Sequence, residues 1–225
     1  MYNELWGLLY AIVSFSLLLV SLRIFGKSGI LVWIAFATIL ANIQVLKTVE
    51  LFGLTATLGN VLYGSSFLAT DILNERYGEK EAKKAVWLGF FSLGMMIITM
   101  QFGLRFIPHS EDFAQGSLET IFGLVPRIAL GSLIAYIISQ YFDVWVYSKI
   151  KAMIPSDRLL WVRNNVSTMI SQLLDTTIFC TIAFLGTYPM ETWIQIFITT
   201  YVLKFLVAAL DTPFLYIAKK IKLPE

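Results

Sequence analysis

The feature that most constrains this chain is a series of long apolar stretches. A helix needs about 20 mostly apolar residues to cross the hydrocarbon core of a bilayer. Seven stretches meet this requirement: residues 5–22, 29–48, 56–73, 85–106, 121–147, 165–185 and 194–218. The sequence therefore predicts an all-α fold, a polytopic integral membrane helix bundle with about seven transmembrane helices.

Composition supports a membrane protein and excludes most soluble classes. Hydrophobic residues make up 57% of the 225 residues and charged residues only 14%, whereas a soluble domain carries about 25% charged residues. The net charge of +2 provides no basic surface for nucleic acid. A single cysteine, Cys180, and a single histidine, His109, argue against a disulfide framework or a metal site. We expect no cofactor, no metal and no nucleic-acid partner.

The connections between the stretches predict the domain organisation and the orientation. The longest, residues 108–120 and 148–164, are too short for a folded extramembrane domain, so we expect one membrane-embedded domain over residues 1–225. Cations collect on cytoplasmic loops, and here they follow alternate stretches: Arg23, Lys27, Arg76, Lys80, Lys83, Lys84, Lys149, Lys151, Arg158, Arg163, Lys219, Lys220 and Lys222. This pattern predicts a multi-pass protein of the cell (plasma or inner) membrane, with its N-terminus outside and its C-terminus cytoplasmic.

Several charged and amide side chains lie inside the predicted spans. Ionisable residues at membrane depth cost about 2.5–3.5 kcal/mol on insertion scales, so they indicate pairing or function. The charged residues are Asp71, Asp143, Asp175, Lys204 and Asp211, and the amides include Asn42, Gln140 and Gln172.

Two of these groups repeat the same short motif. Residues 139–143 and 171–175 both read S-Q-x-x-D, 32 residues apart, on the fifth and sixth predicted spans. In a helix, the serine and the aspartate of this motif are i,i+4 neighbours, and the glutamine and the aspartate are i,i+3 neighbours. Each span therefore presents a hydroxyl, an amide and a carboxylate on one face.

A structural role is the main alternative for these polar residues. Serine, threonine, asparagine and glutamine often join membrane helices through interhelical hydrogen bonds. Lys204 lies seven residues before Asp211 on the same helix face. A structural ion pair between them and a role in a binding site both remain open.

The predicted polar groups limit what the protein would bind. Carboxylates, amides and aromatic rings, with few cations, favour a neutral or cationic ligand rich in N–H donors over an anion. A purine-like heterocycle meets this description because aromatic side chains stack on its flat ring. A simple cation meets it too.

The order and spacing of several segments resemble those of a known family. These segments are residues 42–50, 67–73, 77–78, 126–128, the two S-Q-x-x-D motifs, 163–165, 182–184 and 211–214. Together they resemble the queuosine precursor transporter family, formerly grouped as vitamin uptake transporters, from about residue 26 to residue 216. Members are usually pictured with a six-span core, so this resemblance implies that the first span here is an N-terminal addition.

The resemblance implies an inner-membrane importer rather than an enzyme. Its substrate would be a small deazaguanine, 7-cyano-7-deazaguanine or 7-aminomethyl-7-deazaguanine, used to salvage the tRNA nucleoside queuosine. A guanine-like edge presents two adjacent N–H donors that match a carboxylate, and a carbonyl that needs an amide donor. We therefore expect substrate binding by Asp175 and Gln172 near mid-span, with these further candidates: Asp143, Gln140, Asp71, Asn42, Asn165, Lys204 and Asp211.

Two other functions are alternatives to an importer. The first is a substrate-binding membrane subunit of an energy-coupling-factor type vitamin or nucleobase transporter, which would need an energising module; a homodimer is also open. The second is an intramembrane hydrolase with paired aspartates, but the sequence has no G-x-G-D motif. Its segment Gly64-Ser65-Ser66 also has no intramembrane histidine to activate a serine.

Overall fold

The computed structural model describes residues 2–153 and 160–221, which form helices and one β-hairpin. The elements in chain order are α1 (Tyr2–Gln44), β1 (Thr48–Leu51), β2 (Leu54–Thr57), α2 (Asn60–Tyr77), α3 (Glu79–Gly103), α4 (Gln115–Met153), α5 (Leu160–Phe184) and α6 (Met190–Lys220). This confirms the prediction of an all-α membrane helix bundle.

Helix α1 folds back on itself at Gly26. This glycine has φ 58° and ψ −134°, a backbone conformation that residues with a Cβ rarely adopt. The Tyr10 hydroxyl donates a 2.8 Å hydrogen bond to Gln44 Oε1, although the two residues would be about 50 Å apart in a straight helix. Residues 2–25 and 27–44 are therefore two antiparallel arms, and they correspond to the first two predicted spans.

Each of the other five predicted spans also coincides with a helix, from α2 to α6. By length and apolar composition, four helical segments in the described part of the chain are suited to cross a membrane: Tyr2–Gln44, Lys80–Gly103, Gln115–Ser139 and Met190–Val207. Large apolar side chains on α3 point away from the protein, among them Trp87, Phe91 and Phe102, which are 58–71% exposed. Such a surface fits a multi-pass membrane protein, in which lipid covers these side chains.

The β-hairpin corrects two span boundaries. Residue 48 was predicted to end the second span and residue 56 to start the third, but both lie in the hairpin, where Thr48 pairs with Thr57 and Leu51 with Leu54. Four-residue strands with β-branched residues fold back across a Phe52-Gly53 turn, in which both residues have positive φ. The hairpin is held to the start of α1, because the Phe52 N–H donates to Glu4 Oε1 (2.8 Å) and Asn3 Nδ2 donates to the Glu50 carbonyl (2.9 Å).

The contacts divide the chain into two compact units, Met1–Pro126 with Val202–Glu225, and Arg127–Tyr201. We call them unit 1 and unit 2; the boundaries fall inside α4 and α6. The single domain over residues 1–225 remains a prediction. The core of unit 1 is apolar and draws on both arms of α1 and on α2, with Phe15, Leu18, Ile34, Leu68 and Ile72 almost completely buried.

Three of the basic segments lie together at one end of unit 1. Lys27 lies 2.7 Å from the Glu81 carboxylate, and Lys219 lies 2.6 Å from that of Glu75. Arg76 donates to the Ile221 carbonyl, at 2.6 Å. The turn at Gly26, the α2–α3 connection and the end of α6 are thus at the same end, as the alternation of the loops predicts. Which side of the membrane this end faces remains a prediction.

Candidate functional site

The two S-Q-x-x-D motifs meet in unit 2. Ser139, on α4, and Asp175, on α5, are both buried, at 5% exposure. The Ser139 hydroxyl donates to Asp175 Oδ1 across 3.2 Å. The same hydroxyl lies 3.2 Å from the Tyr136 carbonyl, so its single proton is shared between a backbone oxygen and the carboxylate. The serine of the first motif therefore orients the aspartate of the second.

Helix α5 presents a polar arc around Asp175. Successive residues of a helix are turned by about 100° from one another, and residues four apart share a face. Ser171 lies one turn before Asp175, whereas Gln172 and Thr176 form a neighbouring row one turn apart. Ser171, Asp175 and Thr176 are buried and Gln172 is half-buried. The arc offers carboxylate, amide and hydroxyl groups side by side.

Three polar atoms of unit 2 are buried with no hydrogen-bond partner among the described residues. They are Gln172 Oε1, Thr176 Oγ1 and Thr200 Oγ1. Buried polar atoms are almost always hydrogen-bonded in folded proteins, and exceptions call for an explanation such as a bound ligand. The sequence predicted Gln172 but not the two threonines, because burial without a partner has no signature in the sequence.

Hydrogen bonds join α5 to α6 and to α4 within unit 2. Trp193 Nε1, near the start of α6, donates to the Cys180 carbonyl at 2.9 Å, and the Tyr201 hydroxyl donates to the Met169 carbonyl at 3.2 Å. Helices α5 and α6 therefore run antiparallel over this region. With the Ser139–Asp175 bond on the other side, α5 is held between α4 and α6.

Arg127 holds the C-terminal end of α5. Its guanidinium donates to the Ile182 and Leu185 carbonyls, both at 2.6 Å, and to the Thr187 hydroxyl at 3.3 Å. The last carbonyls of a helix have no partner within the helix, and a cation there also interacts favourably with the helix dipole. Sequence reasoning did not identify this role, because nothing in the sequence places Arg127 beside a helix end about 55 residues away.

Three of the predicted site residues cannot be placed. The backbones of Gln140 and Asp143 belong to α4 and that of Asn165 belongs to α5, but these side chains lie outside the described part of the structure. Their roles remain predictions.

Four predicted site residues belong to unit 1. Asn42 is buried, and its Nδ2 donates to the Thr38 carbonyl one turn earlier, at 2.8 Å. Asp71 is exposed on α2, while Lys204 and Asp211 are half-buried on α6. Asp175 and Gln172 belong to unit 2.

Within unit 1, α2 and α6 pack along a seam that contains three of the charged residues. Lys204 Nζ lies 5.7 Å from the centre of the Tyr63 ring, close enough for a cation–π interaction. A Cβ added to Gly64 would overlap the Val207 side chain, so the helices approach closely there. Asp71 and Asp211 lie between this contact and the Glu75–Lys219 ion pair.

Comparison with known proteins identifies the family. The chain is 57% identical over 220 residues to the "Probable queuosine precursor transporter" of Bacillus subtilis (strain 168), covering 98% of this chain and 96% of that protein. The chain belongs to the queuosine precursor transporter family. The model of the family described as "Putative vitamin uptake transporter" matches residues 57–218, which include both S-Q-x-x-D motifs.

More distant members of the queuosine precursor transporter family also match. The "Probable queuosine precursor transporter" of Haemophilus influenzae is 28% identical, over 68% of this chain and 63% of that protein. The "Queuosine precursor transporter" of Escherichia coli is 26% identical, over 75% of this chain and 74% of that protein. No solved structure matches this chain.

Proposed function

We propose that this protein imports queuosine precursors through the cell membrane for salvage into tRNA. The observation that carries the proposal is the 57% identity, over nearly the whole chain, to a relative named for this transport. The apolar helices of the chain suit a transporter embedded in the bilayer. The substrates would be 7-cyano-7-deazaguanine and 7-aminomethyl-7-deazaguanine, and the protein would move them without chemical change.

The buried carboxylate of Asp175 supports recognition of a guanine-like base. An ionised carboxylate only accepts hydrogen bonds and offers about four acceptor positions. The Ser139 hydroxyl donates to Oδ1, and the ring N–H and the amino group of the base are adjacent donors that match the two oxygens of a carboxylate. Because Ser139 holds the carboxylate in place, less side-chain freedom is lost when the substrate binds.

Gln172 is proposed to complete this recognition. It lies on α5, less than one turn before Asp175, and its Oε1 atom is buried without a partner among the described residues. A primary amide donates and accepts hydrogen bonds, so it can donate to the base carbonyl that lies beside the pairing edge. We retain as further candidate substrate ligands the other predicted residues: Asp143, Gln140, Asp71, Asn42, Asn165, Lys204 and Asp211.

The orientation and the energy source belong to the same proposal. We propose that the N-terminus lies outside and that the basic end of unit 1 faces the cytoplasm, since cytoplasmic loops carry most cations. Import would run either in this protein alone, as a monomer or homodimer, or together with an energising module. Uptake compared in cells with and without such a module separates these two arrangements.

Uptake in a strain that cannot make the precursors tests the proposed function. Wild-type protein should restore queuosine in tRNA when either precursor is supplied, and Asp175→Asn, at the same membrane level, should abolish it. The matched control is Glu191→Gln, which removes the charge of an exposed acidic residue at the start of α6. Failure of the wild-type protein to restore queuosine would refute the function, and unchanged uptake by Asp175→Asn would refute the site.

A further inference from the structure

Two threonine hydroxyls in unit 2 are not used by the proposed recognition of the base edge. Thr176, on α5, is 0% exposed and Thr200, on α6, is 1% exposed. The Oγ1 atom of each is buried with no hydrogen-bond partner among the described residues. A buried hydroxyl of this kind has lost its hydrogen bonds to water and forms none within the described protein, which is energetically unfavourable.

Neighbouring threonines show that the geometry of these helices allows a threonine hydroxyl to form a hydrogen bond. A helical threonine usually donates to a carbonyl one turn earlier. Thr177 donates to the Leu173 carbonyl and Thr199 to the Gln195 carbonyl, each at 2.8 Å. Thr176 and Thr200 lie directly beside these residues, yet their buried hydroxyls do not form this bond.

The two hydroxyls lie near Gln172 along the helix axes. The contacts of Trp193 with Cys180 and of Tyr201 with Met169 fix the antiparallel alignment of α5 and α6. This alignment places Thr200 at about the level of Gln172. Thr176 is one turn from Gln172 on the same face of α5. The three buried atoms without partners therefore belong to one short section of the α5–α6 packing.

We propose that Thr176 and Thr200 form a second substrate subsite, which binds the polar substituent on the five-membered ring of the deazaguanine. This inference rests on the proposed function. Asp175 faces α4, where it bonds to Ser139, and Thr176 is turned from it by about 100°. The five-membered ring of a bicyclic base lies opposite its pairing edge, so the pose that we propose has the pairing edge at Asp175 and the substituent at the threonines.

The chemistry of a hydroxyl suits both precursors. A threonine hydroxyl has one donor and two acceptor lone pairs and rotates to suit its partner. It donates to the nitrogen of a nitrile, and it accepts from the protonated amine of an aminomethyl group. A subsite of two hydroxyls therefore accommodates either substituent, whereas a carboxylate would favour only the amine.

Binding measurements on purified protein test the subsite. Thr176→Val and Thr200→Val remove one hydroxyl each at nearly constant volume, and Thr177→Val and Thr199→Val are the matched controls. Titration calorimetry with the nitrile, the aminomethyl and the unsubstituted 7-deazaguanine gives Kd for each variant. We expect Kd for both substituted forms to rise about three- to tenfold in the first pair. Kd for the unsubstituted base should not change, and the controls should match the wild type.

Further variants distinguish a failure of the proposed subsite from a failure of the proposed function. Thr176→Ser keeps the hydroxyl and should bind as the wild type does, and alanine variants at both positions repeat the test at smaller volume. Equal weakening for all three ligands, or none for any, would overturn the subsite while leaving the proposed function intact. If the wild-type protein neither binds nor imports either precursor, the proposed function itself is wrong.

Discussion

Ser139 of α4 donates a hydrogen bond to the buried carboxylate of Asp175 on α5, across 3.2 Å. The two residues come from two copies of the same S-Q-x-x-D motif, 36 positions apart in the chain. The bond shows that the serine of the first copy meets the aspartate of the second within unit 2. The two copies of the motif therefore contribute to one buried polar contact between two helices.

Ser139→Ala should weaken substrate binding without abolishing it. The variant removes one hydrogen bond to a charged group, and the Asp175 carboxylate then samples more orientations. We expect the KM for precursor uptake to rise about three- to tenfold, with little change in the amount of protein in the membrane. The control is Ser92→Ala on α3, where the hydroxyl donates to the Leu88 carbonyl of the same helix. An unchanged KM would mean that the Ser139–Asp175 bond does not orient the site.

Arg127→Gln should destabilise the protein. The substitution removes the charge and the guanidinium bonds to the end of α5, including the two to the Ile182 and Leu185 carbonyls. Bonds to charged groups contribute roughly 1.5–3 kcal/mol each when buried, and less at an exposed site such as this one. We expect a loss of about 1–3 kcal/mol, measured as a lower thermal midpoint in detergent. Arg105→Gln, at an exposed position outside the helices, should leave the midpoint unchanged.

Gly26→Ala should destabilise the fold-back of α1. An alanine at φ 58° and ψ −134° is strained, and such strain costs about 1–3 kcal/mol. Gly94→Ala is the control, because this glycine lies within α3 and an added Cβ meets nothing within 4 Å; helix propensity makes that change neutral or slightly stabilising. Thermal unfolding of both variants should give shifts that differ clearly in size. Equal shifts would show that the turn does not need a glycine.

Single-cysteine labelling should establish the orientation. In a background without Cys180, Glu111→Cys places a thiol in the exposed connection between α3 and α4, and Lys80→Cys places one at the basic end of unit 1. An impermeant maleimide should label Glu111→Cys in intact cells, and Lys80→Cys only after permeabilisation. The reverse pattern would invert the proposed topology while leaving the helix assignments unaffected.

The sequence predicted the helices well because their signal is local. Crossing a bilayer requires a certain length of apolar residues, and this length can be counted without knowing what each helix packs against. The hairpin at Thr48–Thr57 was missed for the same reason, because its two short strands adjoin apolar runs and were counted as parts of spans.

The site was predicted only in part because it depends on helix pairing. Spacing placed Gln172 and Asp175 close together on one helix, and the structure shows that Asp175 meets Ser139. No sequence pattern indicated that Thr176 and Thr200 would be buried without partners, since neighbouring threonines of the same type bond to their own helices.

The fold-back at Gly26 changes how the first span should be regarded. Residues 2–25 return along residues 27–44, and their inner face supplies Phe15, Leu18 and Leu22, each no more than 1% exposed. The start of this arm is hydrogen-bonded to the β-hairpin through Asn3 and Glu4. A protein limited to a six-span core would have to fill the space of these three side chains in another way. The first span is therefore an integral part of the core of unit 1, and deleting it would expose that core to lipid.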